Sequence, residues 1–182
     1  EKVKAALSSP WSSTPNFVGA QDAALKLVKH PIWNAAKTIR TTPESAQAWL
    51  RLFALEHGKK VYMSVPNLED EHTLILLDPS QLIPKGIPFE DVMYLEGAME
   101  YGQPCGYEDM DPVDLVLIGC VAINREGART GKGTGYADLE VSLMRHFGKI
   151  EADTPVATTV HPLQIVTNYI LPMHAHDTPV DL

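Results

Sequence analysis

Apolar residues along the chain follow two spacings, and their order predicts the fold class. After Gly19, the positions Ala23, Ala24, Leu27 and Val28 recur at helical spacing until His30 and Pro31 interrupt them. Residues 36–40 read as a short strand, and Thr42, Pro43 and Glu44 as a helix start with proline at the first helical position. That helix buries Ala46, Leu50, Phe53 and Ala54 on one face and stops at Gly58, the residue type favoured just past a helix C-terminus. Residues 60–65 form a second strand, closed by Pro66. Strand, helix and strand within about thirty residues make a βαβ unit, because parallel neighbours need such a crossover.

Further on, residues 73–77 add a strand, and residues 89–102 a short helix with loop. Residues 114–118 are almost continuously apolar, as expected of a strand covered on both faces. A helix over residues 136–147 places Leu139, Leu143 and Phe147 on one face, and residues 155–160 and 179–182 supply two more strands. The pattern predicts an α/β protein with a mostly parallel sheet.

Composition narrows what such a fold does. A chain of 182 residues buries roughly 70% of its unfolded surface and is expected to form one domain, 1–182, with a mobile Ser/Pro-rich connection at residues 8–15. Its net charge of −8 argues against coating nucleic acid or an anionic membrane, since both need a broad basic face, so any anion site is local. Cys105 and Cys120 lack metal-ligand spacing and are too few for a disulfide framework, which fits a reducing compartment. With neither a signal-peptide pattern nor an apolar run of about 20 residues, a cytoplasmic location is expected, and nothing in the sequence sets an oligomeric state.

One stretch concentrates the candidate chemistry. Between the apolar strand and the helix from residue 136, "REGARTGKGTGYADLE" packs glycines and basic residues into a turn. Ligands collect where strands end and helices begin, because unpaired amides and the helix dipole point there. Gly131, Gly133 and Gly135 let amides line up toward an anion, Arg129 adds a planar two-pronged donor, and Lys132 a flexible point charge. Asp138, in the first helical turn, suits Mg²⁺, which prefers carboxylate together with phosphate oxygens. Neither standard nucleotide loop is present: Gly133 follows Lys132 where a Walker A loop needs Ser or Thr, and the third glycine comes one place early for a dinucleotide fingerprint. The same spacing also suits a tight strand-to-helix turn that simply exposes basic residues.

The run from Arg129 to Asp138 resembles the R-x-G-x-G-x-G-Y-Y-D motif of the 5-formyltetrahydrofolate cyclo-ligase family. It is most similar to the methenyltetrahydrofolate-synthetase-domain-containing subgroup, which ends the motif Gly-Tyr-Ala-Asp-Leu-Glu. Stretches at residues 15–20, 58–68, 114–119 and 154–161 match in the same order, so the likeness covers most of the chain. It implies a three-layer α/β/α fold of the NagB/RpiA/CoA-transferase-like type, with ATP and Mg²⁺ as cofactors and a reduced folate as substrate. ATP would phosphorylate the formyl oxygen of 5-formyltetrahydrofolate, and ring closure would release phosphate and 5,10-methenyltetrahydrofolate. Carried onto this chain, ATP falls to Arg129, Gly131, Lys132, Gly133, Thr134, Gly135, Tyr136 and Asp138, with Lys4 from the N-terminal segment. Arg129 and Lys132 take the catalytic role and Asp138 the metal, while Met63, Pro66, Asn67, Tyr136 and His161 face the substrate.

Departures from the motif keep a second reading open. The second Tyr of the motif is Ala137, and the family's folate-binding Glu-Val-Asp-Thr is replaced by Arg40, Thr41, Thr42, Pro43 and Glu44. An unmatched buried donor costs about 1–3 kcal/mol, so pterin recognition is expected to change unless Glu44 reaches the same place. The alternative is a nucleotide-binding or regulatory protein that has lost cyclo-ligase activity. Elsewhere, His174 and His176 offer a metal pair or a polar loop, Cys120 reads as a small buried hydrophobe, and Lys59 and Lys60 as a charged strand start.

Overall fold

The computed structural model describes residues 16–65, 73–167 and 171–182. Helix α1 (Ala20–Val28) buries Ala20, Ala24 and Leu27. The break at His30 and Pro31 opens a short second helix, α2 (Pro31–Ala35), capped by the His30 imidazole. Strand β1 (Thr38–Thr41) leads through a 3-10 turn into α3 (Ala48–Glu56), and β2 (Lys60–Ser64) runs parallel to β1, which completes the βαβ unit. Strand β3 (Leu74–Leu77) turns back antiparallel. Short helices α4 (Pro79–Leu82), α5 (Phe89–Val92) and α6 (Leu95–Tyr101) then lead to the antiparallel edge strand β4 (Gln103–Cys105).

The chain then returns to the other side of β1. Strand β5 (Leu115–Leu117) pairs parallel with it, and a small hairpin of β6 (Ala122–Ile123) and β7 (Arg129–Thr130) leads into α7 (Tyr136–His146). Strand β8 (Val156–Ala157) closes the sheet parallel to β5, in the order β4-β3-β2-β1-β5-β8. The half of the sheet around β1 and β5 is parallel, as the apolar pattern required.

Strand alternation makes the three layers. Ile39, Val61, Met63, Leu115 and Leu117 join Leu50, Ala54 and Leu27 in one core beneath α1 and α3. Tyr62, Val116 and Val156 join Val141 and Met144 of α7 in a second core on the opposite face. All three residues of β5 are fully buried, which explains a run with no polar alternation.

Two expectations are corrected. In α7, Leu139 is exposed, and the buried positions are Glu140, Val141 and Met144, with Leu143 and Phe147 only partly covered. A charged residue occupies the interior here because Arg40 of β1, itself fully buried, binds the Glu140 carboxylate and donates to Ser64 Oγ at 2.5 Å. At the other end, residues 179–182 are extended but form no regular strand. Asp181 donates to the Val156 carbonyl and Val180 to the Gly127 carbonyl, so consecutive residues bond to different segments.

A second buried cation braces the loop after β1. Arg51 of α3 donates to the carbonyls of Met93 (2.7 Å), Thr42 (2.6 Å), Pro43 (3.4 Å) and Glu44 (3.2 Å). Burial pushes its guanidinium down to about 10, opposed by Glu44. Arg51→Met keeps the apolar bulk but strips these carbonyls of their donors, and is expected to lower the unfolding free energy by about 3 kcal/mol in urea titrations; a loss below about 1 kcal/mol would contradict the brace.

Candidate functional site

The sheet topology marks where a ligand belongs. The chain leaves β1 for β2 on one side and later adds β5 on the other, and in open α/β sheets the place for a ligand crevice is such a switch point, here beyond the carboxyl ends of β1 and β5. Thr42, Pro43 and Glu44 form one lip. Gly119 donates its amide to Thr42 Oγ1 at 3.2 Å, and a Cβ on Gly119 would stand 3.0–3.2 Å from the carboxyl atoms of Glu44. Only glycine lets that carboxylate lie so close to the end of β5. Near it, Gln47 at the start of α3 is fully buried, and neither polar atom of its amide has a partner among the described residues.

The hairpin and the N-terminus of α7 form the other lip. Residues 131–135 make an open turn: Gly133 and Gly135 have φ of 85° and 71°, and no described atom lies within 4 Å of a Cβ built on Gly131, Gly133 or Gly135. Lys132 and Thr134 are exposed, and Tyr136 stands half-exposed at the first position of α7. These features satisfy what an anion requires of a helix N-terminus: backbone amides without overlying side chains, and a nearby cation.

Arg129 and Asp138 are not free side chains in this turn. Arg129 Nη2 donates to Asp138 Oδ1 at 2.6 Å, the Arg129 side chain is 4% exposed, and its Nε is buried with no partner among the described residues. The same Asp138 oxygen accepts the Thr178 amide at 2.9 Å, which draws the C-terminal segment against the helix start. Asp138 supplies one carboxylate, and no group of three or more His, Cys, Asp or Glu that could hold a metal occurs among the described residues. That donor set fits Mg²⁺ completing its shell from phosphate and water, and does not fit an all-protein cage.

Cys120 sits on the floor between the lips. Burial pushes its thiol up, Thr158 and Arg129 pull it down, and Glu44 pushes it up again, so both lips are within electrostatic reach of one side chain. His161 follows β8 at the same end of the sheet. Its Nδ1 accepts the Leu163 amide at 3.2 Å, and its ring packs edge-on against Phe17 with centroids 5.9 Å apart. Met63 is fully buried in the core under α3 and presents no surface to a ligand, contrary to its expected place at the substrate. Lys4, Pro66 and Asn67, as well as the Ser/Pro-rich segment, lie outside the described residues.

The remaining chemistry of the sequence is structural. His174 and His176 stack with centroids 5.6 Å apart and have no third ligand among the described residues. Lys59 is not a solvated strand start: it is buried, donates to the Ala36 carbonyl at 2.5 Å and lies over the Trp33 ring. A cavity of about 440 Å³ opens at the opposite, amino end of the strands, beside Asp114, Lys149 and Glu151. Its Asp114 carboxylate is already engaged by the Lys37 and Thr38 amides, and none of the motif residues line it. Sequence reading missed Gln47 and the burial of Arg40 and Glu140, because hydrophobic patterning carries no signal for a polar residue in the interior.

The sequence and the fold both have known relatives. The model of the 5-formyltetrahydrofolate cyclo-ligase family matches residues 2–182. Methenyltetrahydrofolate synthase domain-containing proteins of Bos taurus and Mus musculus are 34% and 33% identical over 171 residues, covering 92% of this chain and 43% and 44% of their own. The human protein of that name is 30% identical with the same coverage of this chain, which spans under half the length of these relatives. The NMR structure of Aquifex aeolicus 5,10-methenyltetrahydrofolate synthetase shares the fold, with a TM-score of 0.54 at 20% identity over 89% of this chain and 75% of that one. No helix among the described residues is long and apolar enough to cross a membrane.

The buried thiol allows a check of the crevice floor. Iodoacetamide at neutral pH is expected to label Cys120 more than about tenfold more slowly in the folded protein than in urea, by mass spectrometry, because its thiolate is both scarce and covered. Equal rates would place Cys120 at the surface.

Proposed function

The chain belongs to the 5-formyltetrahydrofolate cyclo-ligase family, and from that premise we propose that it binds ATP with Mg²⁺ at residues 131–135 and converts 5-formyltetrahydrofolate, or a close reduced folate, to 5,10-methenyltetrahydrofolate. The observation that carries this reading is the uncovered glycine turn at the N-terminus of the eleven-residue α7, on the lip of the switch-point crevice. In such a site the turn amides, Lys132 and Arg129 would hold phosphate oxygens, Thr134 and Tyr136 would flank them, and Asp138 would take the metal. ATP, when bound, supplies the phosphoryl group that turns the formyl oxygen into a leaving group.

The protein's own contribution is placement and charge. Phosphoryl transfer needs cations fixed near the equatorial oxygens and water kept away, with no covalent nucleophile on the enzyme. Arg129 and Asp138 are each other's partners in the structure, and they are also the groups that phosphate and Mg²⁺ would take. Ligand binding therefore exchanges one ion pair for two ligand contacts, and the unpartnered Nε of Arg129 gains an acceptor. The reduced folate would lie across the crevice toward Glu44, with His161 and Phe17 at the β8 side. Glu44, four residues beyond Arg40, supplies the carboxylate that the motif places earlier in the chain.

A second reading, a nucleotide-binding protein without cyclo-ligase activity, is favoured by the altered segment Arg40 to Glu44 and by Ala137 in place of the motif's second Tyr. The deciding experiment incubates the protein with 5-formyltetrahydrofolate, Mg²⁺ and ATP and follows the absorbance of the methenyl product. Product formation supports the enzyme reading; ATP binding by calorimetry without product selects the second.

Two sets of variants test the assignments. Arg129→Ala and Asp138→Asn are expected to weaken ATP binding by about 100-fold, and Gly133→Val to weaken it through backbone blockage alone. Wild-type titrations for all three would remove the turn from the site. Glu44→Gln is expected to raise the KM for the reduced folate by roughly tenfold and leave that for ATP unchanged, as loss of one charged hydrogen bond would do. The opposite split would place Glu44 with the nucleotide.

A further inference from the structure

The buried pair of Arg40 and Glu140 is poorly explained by stability. Both side chains stand where the strand-helix interface is otherwise filled by Val116, Val141, Met144 and Val156. Arg40 uses one nitrogen, Nη2, for both Glu140 and Ser64, while Nε and Nη1 are buried without a partner among the described residues. Each such group costs about 1–3 kcal/mol, and an apolar pair of similar volume is often as stable as a buried ion pair or more so. Tyr107 places a further buried hydroxyl in the same layer, its ionisation pushed up by burial and then by Glu140.

What the ion pair supplies and an apolar pair does not is direction. Glu140 is the fifth residue of α7 and lies two beyond Asp138, so the two carboxylates project to nearly opposite sides of the helix. One meets Arg40 in the central strand. The other meets Arg129 in the hairpin and the Thr178 amide. The contacts of Glu140 with Arg40 and of Asp138 with the Thr178 amide, which remain when Arg129 turns to phosphate, fix how far α7 is rotated about its axis and how far it slides along it. The open turn at residues 131–135 is continuous with that helix, so its amides inherit the same constraint.

Resting on the nucleotide site proposed above, we infer that Arg40 and Glu140 are positioning residues: they set the rotation and register of α7 and thereby aim Asp138 and the glycine turn at the triphosphate. Neither touches the ligand. A misplacement of about 1 Å is enough to cost on the order of 100-fold in such a site.

The test compares the parent with Glu140→Gln and with a double variant, Arg40→Met with Glu140→Leu, by thermal melting and by calorimetric titration with MgATP and, separately, with 5-formyltetrahydrofolate. Glu140→Gln is expected to weaken MgATP binding by roughly 10- to 100-fold and to change folate binding by less than about twofold. The double variant is expected to melt at or above the parent temperature while keeping the weakened MgATP binding, a separation that packing alone does not produce. Parental MgATP affinity in Glu140→Gln, or a double variant that recovers both stability and affinity, would overturn the inference and leave the nucleotide site standing. If Glu140→Gln does not fold, the double variant carries the comparison; if the double variant does not fold either, the pair is needed for the fold itself and the positioning role is refuted. A parent that binds no MgATP removes the site reading, and the inference with it.

Discussion

The reversal of strand order at β1 is the constraint on which the rest depends. Because the chain builds outward on one side through β2 and on the other through β5, no connection bridges the carboxyl ends of β1 and β5, which makes that end the switch point where open α/β sheets take their ligands. The loop after β1 and the end of β5 become its walls. Gly119, Thr42 and Glu44 are held together at that point, with a carboxylate packed against a glycine. The hairpin and α7 follow from β5 and so deliver an open glycine turn to the same end of the sheet.

Buried cations keep the two lips in place. Arg51 gathers the carbonyls of Thr42, Pro43 and Glu44 and ties them to Met93, which stiffens the loop after β1. Across the crevice, α7 is held through Glu140 to the central strand and through Asp138 to the hairpin and the C-terminal segment. Such arrangements are costly, since a charge leaves water only when it is paired and hydrogen-bonded.

Much of this fold was legible in the sequence, and for physical reasons. The β1-α3-β2 unit showed as a short strand, an amphipathic helix ending in Gly58 and a second strand; β5 showed as a nearly continuous apolar run because both its faces are covered. The glycine turn and Asp138 were legible as a motif. Residues 36–40 and 155–160 were shifted or overextended, as short strands set by pairing are. What did not show were charges in the interior. Nothing in the sequence pattern marked Arg40, Arg51 and Glu140 as buried, because only three-dimensional partners make their burial tolerable, and Leu139 was given the core position next to Glu140 for the same reason. Residues 179–182 have strand composition, but their amides bond to Gly127 and Val156 in turn, a pattern no local propensity encodes.

The central claim is that the uncovered turn before α7 receives a triphosphate together with Mg²⁺. A crystal structure grown with Mg²⁺ and a non-hydrolysable ATP analogue tests it most directly. The account predicts phosphate oxygens against the amides of residues 131–135, with Arg129 turned from Asp138 toward them. Nucleotide found instead in the cavity beside Asp114 and Lys149, or an unchanged Arg129–Asp138 pair under an empty turn at saturating nucleotide, would contradict it.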